Sequence, residues 1–458
     1  MALTLRHAAG PLFLLLCILL GGSAQGPWRN LILQLIGLGF LAWALLARSR
    51  TMPTAAARAL PIFALLLFLL LLVQLVPLPP AMWSALPGRG VVAQGFALRG
   101  EALPWLTLSL TPTRTAAALV ALAVPFGIVA AMIWLGAYRA RWMAAAVMLG
   151  AFISVTLGAL QLAQGGPYLF PIVNLGAATG VFANSNHQAT LLLVSIPFLA
   201  AAMGRELSRG GNRSRQGFSR LIIAGGVLAV VLVGLALNGS LAALLLVIPV
   251  ALASIGIVLP TRRRAGSVLA LTAFVGLILG SLLLAFLSDP SAGGASVTTR
   301  ADIYGRTLKA IADTLPFGTG VGSFVDYFPL YEDAGTADAF YVNHAHSDPL
   351  EWVLETGLPG GLLLALFLLW WLRQSVRVWR AEERELTALA GTVAVAAIMA
   401  HSLVDYPLRT AAIQAIFALG LAFMVEPRSH SARRGSRGST AKVRHLSLDD
   451  EPDDAVSA

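Results

Sequence analysis

The stretch that decides the fold is Asn343–Leu372, NHAHSDPLEWVLETGLPGGLLLALFLLWWL. Its first half carries two histidines and three carboxylates, and its last third is apolar. Asp348, Pro349 and Glu351 read as a helix start, with Asp348 as N-cap, Pro349 at the first helical position and Glu351 in the first turn. The run 349–372 then has the length of a helix that crosses a hydrocarbon layer, for which about 20 apolar residues suffice. Gly357, Pro359, Gly360 and Gly361 predict a kink close to its start. Glu351 and Glu355 stand one turn apart on one face. Glu355 falls inside the apolar zone, where a carboxylate needs a cationic or imidazole partner.

Outward from this stretch the same character continues. Of 458 residues, 57% are hydrophobic and 12% charged, about half the charge of a soluble domain. The single cysteine, Cys17, sits in an apolar run, so neither an intramolecular disulfide nor a cysteine metal site can form. Apolar runs occur at 9–24, 30–47, 59–77, 115–137, 143–162, 187–203, 220–237, 241–259, 266–287, 349–372, 386–403 and 408–425. The expectation is an all-α polytopic membrane protein of about 12 transmembrane helices. The first run resembles a signal peptide, but GGSAQG leads straight into the second, so it is read as an uncleaved helix.

With the N-terminus placed inside, 24 of the 32 lysines and arginines fall in inner segments. The positive-inside rule then puts both termini in the cytoplasm. The eight outer basic residues are Arg29, Arg89, Arg99, Arg114, Arg300, Arg306, Lys309 and Arg409. Basic residues are spread between apolar segments rather than gathered on one soluble face, which argues against a nucleic-acid partner. Three outer segments are long: 78–114, 163–186 and 288–348. The chain thus divides into 1–114, N-terminal helices and first loop; 115–425, a transmembrane core including the periplasmic loop 288–348; and 426–458, a polar tail expected to be disordered.

Four of the seven histidines, His187, His344, His346 and His401, map to the outer boundary. His187 and His401 taken singly read as hydrogen-bonded structural residues. His344-x-His346-x-Asp348 has the look of a zinc-ligand run, but no strand-rich layer is at hand to supply a third ligand and hold the set, so no metal is expected. A neutral imidazole beside a helix N-terminus suits the removal of a proton from a hydroxyl next to an anionic group. Upstream, 300–314 has helical spacing, with Asp302, Arg306, Lys309 and Asp313 in one stripe that fits salt bridging on a wet face. The glycines from Gly318 to Gly322 lack the Lys-Ser/Thr and the preceding strand of a nucleotide loop.

The block R300-xxx-Y304-xxx-L308…D313-x-L-P-F-G-x-G-x-G-S-F324, followed by H346-S-D-x-L350-xxx-L354-E355-x-G357-L-x-G360, resembles the O-antigen ligases and Wzy-type polysaccharide polymerases. So do G180-V-F-A-N184-S-N186-H-Q-A189 and H401-S-L-V-D405-Y-P-L-R409. The likeness spans roughly residues 175–425, and its His/Glu/Gly run is the most specific part. It implies an inner-membrane glycosyltransferase of GT-C-like fold, moving a glycan from undecaprenyl diphosphate to a hydroxyl acceptor at the periplasmic face without cofactor or metal. The acceptor would be another glycan or lipid A core, with membrane lipids and other polysaccharide-assembly proteins as neighbours. His346 and Arg300 correspond to the family's catalytic histidine and donor-binding arginine, with Ser347 where the usual neighbour is Asn. Asn186, Tyr304, Arg306, His344, Glu355 and Arg409 complete the implied substrate-binding set. One departure stands out: Leu241 occupies the place of a family arginine, for which Arg409, Arg114 or Arg306 would have to compensate. The alternatives are a lipid-linked glycan flippase and a non-catalytic component of an export complex.

Overall fold

A computed structural model describes residues 2–47, 55–210, 214–259, 295–332 and 341–425, together with the isolated positions 266, 272, 276 and 280. The chain is an all-α polytopic membrane protein. Eight helices are long and apolar enough to span a bilayer: Pro27–Leu46, Ala56–Val73, Pro112–Ile133, Ala140–Gln164, Ser185–Ser208, Arg215–Asn238, Leu241–Val258 and Asp348–Arg380. Three shorter apolar helices join them, Thr4–Leu20, Leu386–His401 and Ala411–Val425. Eleven of the twelve expected runs thus have their helix. The twelfth, 266–287, lies outside the described residues apart from four isolated positions, as does the tail 426–458. The Pro112–Ile133 span is interrupted for one residue, at Leu122.

Ser185–Ser208 is the central helix. It is buried along nearly its whole length, as expected of a helix that is apolar on every side. Ala140–Gln164, Arg215–Asn238, Leu241–Val258 and Leu386–His401 surround it. Outer helices instead turn apolar side chains away from the protein, among them Leu35, Leu65 and Ile223, each more than half exposed. In a bilayer such a face costs nothing, because lipid tails are as apolar as leucine, and helices associate by close packing of small residues. Gly391 and Gly420 provide one such approach: a Cβ on Gly391 would come within 2.6 Å of the Gly420 carbonyl oxygen.

One end of the bundle gathers the irregular backbone. Within the first long loop, Pro77–Leu78 pairs antiparallel with Leu106–Thr107, and the buried Trp83 donates its indole N–H to Pro104 O at 2.8 Å. Buried Arg89 pins this loop to the glycine-rich segment by donating to Leu108 O and Gly318 O. The acid–base stripe on Ala295–Thr314 is a local brace. Arg306 pairs with Asp302 at 2.9 Å and donates to Tyr331 O at 2.8 Å, while Tyr331 donates to Asp313 at 3.0 Å.

The expected kink in Asp348–Arg380 falls at Gly357, whose φ of 62° and ψ of −152° leave the helical region. Several backbone groups around it find partners elsewhere in the fold. Leu358 N–H donates to Pro316 O at 2.9 Å, Trp352 Nε1 to Gly360 O at 2.8 Å, and Gln74 Nε2 to Glu355 O at 3.0 Å. A side chain at 357 would collide with the Pro316 carbonyl and require a left-handed backbone. Gly357→Ala is therefore expected to cost at least about 2 kcal/mol. A thermal melt in detergent checks this, and an unchanged midpoint would remove the kink from the architecture.

Candidate active site

Four segments meet where the bundle's loops converge: Asn343–Glu355, Ala400–Arg409, the start of Ser185–Ser208, and Arg300–Tyr304. The helix after the HAHSD run begins one residue earlier than its sequence suggests. Ser347 is the N-cap and Asp348 the first helical residue. The reason is tertiary: Asp348 N–H donates to Ser402 O (2.9 Å) and Asp405 O (3.2 Å). Its carboxylate accepts from Ser402 Oγ (2.8 Å) and Leu408 N (3.1 Å). Asp348 thus caps the 402–410 turn rather than its own helix.

The three titratable side chains of HAHSD go to three different partners. His344 Nδ1 is 2.8 Å from Glu351 Oε1, and His346 Nδ1 is 3.4 Å from Asp405 Oδ1. Asp348 belongs to the turn just described. Among the described residues no group of three His, Cys, Asp or Glu side chains has the geometry to hold a metal ion.

Asp405 and Tyr406 are the centre of the cluster. Asp405 is 1% exposed, and His187 Nε2 stands 3.8 Å from its Oδ2, opposite His346. Burial alone would raise its carboxyl pKa, but contact with His346 and the fields of His187 and His401 outweigh burial and hold it at about 2. The rings of His344, His187 and His346 lie 4.2, 4.9 and 5.2 Å from the Tyr406 ring. Asn184 and Asn343 both donate to the Tyr406 hydroxyl, at 3.2 and 3.4 Å. Burial pushes that phenol up to about 12. His401 hydrogen-bonds Thr190 through Nδ1 at 2.8 Å.

His346 adopts φ 50°, the one positive φ outside glycine among the described residues. Such a backbone is sparsely populated, and it persists only where surrounding contacts enforce it. Tyr304 supplies one of them by donating to His346 O at 2.8 Å. Arg300 sits one turn before Tyr304, close enough for its charge to act on Tyr304 and His401. Its guanidinium makes no hydrogen bond or ion pair among the described residues.

The outer arginines Arg89, Arg99, Arg114, Arg306 and Arg409 are occupied. Arg409 forks both terminal nitrogens onto Glu355 Oε2 at 3.0 Å. It also reaches Glu351 Oε1 at 3.3 Å and Asp348 Oδ1 at 3.6 Å. Burial works against its charge, but the three carboxylates overcome that and raise its pKa above the ordinary arginine value. Glu355 thus has the cationic partner its depth demands, and Arg409 serves that partner rather than standing free. Arg114 pairs with Asp326 at 2.9 Å. Asn186 uses its backbone in the first turn of its helix, and the side chain that reaches the cluster is that of Asn184. Leu241 is half exposed at the start of its helix, behind the Ser240 cap.

The glycine-rich loop spends its N–H groups internally. Gly320 N donates to Glu355 O (2.8 Å), Val321 N to Gln74 Oε1 (2.9 Å) and Gly322 N to Glu355 Oε1 (2.8 Å). It is a clasp between the first and third outer loops, not a phosphate cradle.

Residues 224–365 match the family model described as O-antigen ligase. Over that stretch, under a third of its length, the chain is similar to the O-antigen ligases. No curated protein matches it. The O-antigen ligase match takes in Arg300, Tyr304, His344, His346, Glu351 and Glu355, and stops short of His401, Asp405, Tyr406 and Arg409. The fold brings that second group onto the first. Asp405 and Tyr406 were not among the residues expected to act, although an aspartate at the outer end of an apolar segment is itself a signal. The match supports a polysaccharide-processing membrane enzyme, with lipid-linked glycan and acceptor as the substrate classes the family implies at a coarse level.

Proposed function

We propose that this protein is a glycosyltransferase of the cytoplasmic membrane that moves a glycan from undecaprenyl diphosphate to a hydroxyl acceptor at the periplasmic face. Both termini then lie in the cytoplasm, and the cluster faces outward. The observation that carries the reading is the placing of Arg300, which makes no ion pair among the described residues, one turn before the Tyr304 that holds His346 O, with the His346 imidazole 3.4 Å from the buried carboxylate of Asp405.

Each part has a task. A polyprenyl diphosphate stays in the lipid while its charged head is gripped at the interface, and a guanidinium matches such oxygens with paired donors. Negative charge grows on the diphosphate as the sugar leaves, so a preplaced cation lowers the barrier. His346 takes the proton of the attacking hydroxyl at Nε2, and Asp405 steadies the charged ring through Nδ1. No electron transfer is involved, and the chain's own groups suffice for the proton. A non-catalytic role in polysaccharide export draws its support from Leu241 together with the commitment of Arg409 to carboxylates.

The test is release of free undecaprenyl diphosphate from a lipid-linked oligosaccharide by purified protein. His346→Ala is expected to lower turnover by about 10²–10⁴, and Arg300→Ala by about 10² or more, with melting temperatures unchanged. Wild-type rates in both variants would overturn the site. A folded wild-type protein without turnover on any donor and acceptor pair favours the export role.

A further inference from the structure

His344 is a second imidazole with a buried carboxylate at its Nδ1, and the transfer chemistry above does not use it. Its Nδ1 lies 2.8 Å from Glu351 Oε1, and Glu351 is 1% exposed. An ionised carboxylate only accepts, so Nδ1 carries the proton and the neutral ring presents a lone pair at Nε2. Glu351 is fixed in turn, with Ala345 N donating to its Oε2 at 2.9 Å and Arg409 at 3.3 Å from its Oε1.

The rings of His344 and His346 both pack against the Tyr406 ring, at 4.2 and 5.2 Å. Ala345, between them, is fully buried, while His344 and His346 turn toward the Tyr406 ring and keep about a fifth and a quarter of their side chains exposed. Nε2 of each has no hydrogen-bond partner among the described residues. Two imidazoles therefore stand against one tyrosine ring, each with its Nε2 unclaimed among the described residues.

We propose that His344 accepts a hydrogen bond from a hydroxyl adjacent to the one that His346 deprotonates, so that the acceptor sugar is chosen for a vicinal diol. This rests on the transferase reading. A neutral Nε2 offers no proton to a phosphate oxygen, which points His344 to the acceptor and not to the donor diphosphate. In the transfer, the attacked hydroxyl's proton passes to His346 Nε2. The new bond forms from that oxygen to the sugar carbon, and the old bond's electron pair leaves with the diphosphate. His344 keeps its own proton throughout. It determines specificity, and Glu351 positions it.

The experiment uses the full-length protein in detergent and a synthetic acceptor glycoside that the wild type glycosylates. Beside it runs an analogue deoxygenated at the carbon next to the site of transfer. Wild type is expected to lose about 10- to 100-fold in kcat/KM on the analogue, the worth of one hydrogen bond to a polar partner. His344→Ala is expected to bring both acceptors to the same low value. Glu351→Gln donates to Nδ1, moves the ring proton to Nε2, and should reverse the preference toward an analogue carrying fluorine at that carbon. Retention of the full discrimination in His344→Ala overturns the proposal, as does an equal drop on both acceptors that preserves their ratio. Full activity of His346→Ala is a separate result, and it strikes the transferase site rather than this one.

Discussion

Arg409→Met is expected to destabilise the protein by about 3–5 kcal/mol, the toll of stripping the only cation from a buried ionic cluster. Glu351 and Glu355 are at most 1% exposed and Asp348 is 8% exposed. Among the described residues, Arg409 is the one arginine or lysine that pairs with them. Methionine fills similar space but leaves three carboxylates facing one another in a poorly solvated site. Glu355 also holds the glycine-rich clasp through Gly322 N, so the loss spreads to the contact between the outer loops. Thermal unfolding in detergent measures it. Arg409→Met with Glu355→Gln should recover part of the loss, because the two changes touch one network and are not additive. A melting point equal to wild type in the single variant would mean the cluster is not what fixes the start of Asp348–Arg380.

The transmembrane plan was legible because bilayers read composition and length, and those are local. The kink at Gly357 was equally legible, since the residue type that permits φ 62° is itself the sign. Glu355 announced its need of a cation by its depth in an apolar run. What the sequence did not reveal was the identity of partners far apart along the chain. Arg409 lies 54 residues from Glu355, and nothing local marks which outer cation is committed and which, like Arg300, is left free. Asp348 shows the same limit. Its surroundings in sequence favour an N-cap, and contacts with Ser402 and Leu408 draw it instead into another turn. Arg306 looked available for substrate, but its pairing with Asp302 and its bond to Tyr331 O make it part of the loop's brace. Asp405 and Tyr406 follow the same logic at the centre of the site. Their importance comes from histidines of two other segments, His187 and the pair His344 and His346, converging on them.

Asp405→Asn is expected to cost about 10³–10⁴ in kcat/KM while leaving the helices assembled. The carboxylate stands 3.4 Å from His346 Nδ1, and an ionised carboxylate at that place favours the ring proton on Nδ1, which leaves the lone pair on Nε2, where an acceptor hydroxyl can use it. An amide in its place can turn its NH₂ toward Nδ1 and fix the opposite tautomer, with the proton on Nε2 and no base for the hydroxyl. The analogous change in the serine protease triad costs about 10⁴ with the geometry intact. The kinetic loss should therefore exceed any loss of stability, and a matched pair of melts and rates separates the two. The pH behaviour gives a second handle. Because the folded protein holds Asp405 at about 2, below the ordinary aspartate value of about 3.9, the stability it contributes is fully present above about pH 4 and lost as pH falls through 2. Any decline of activity between pH 5 and 8 then belongs to other groups. In Asp405→Asn the acid end of the stability curve should flatten while the rate stays low at every pH. A variant that keeps wild-type rates would show that His346 does not depend on this carboxylate, and the base would have to be sought at His344.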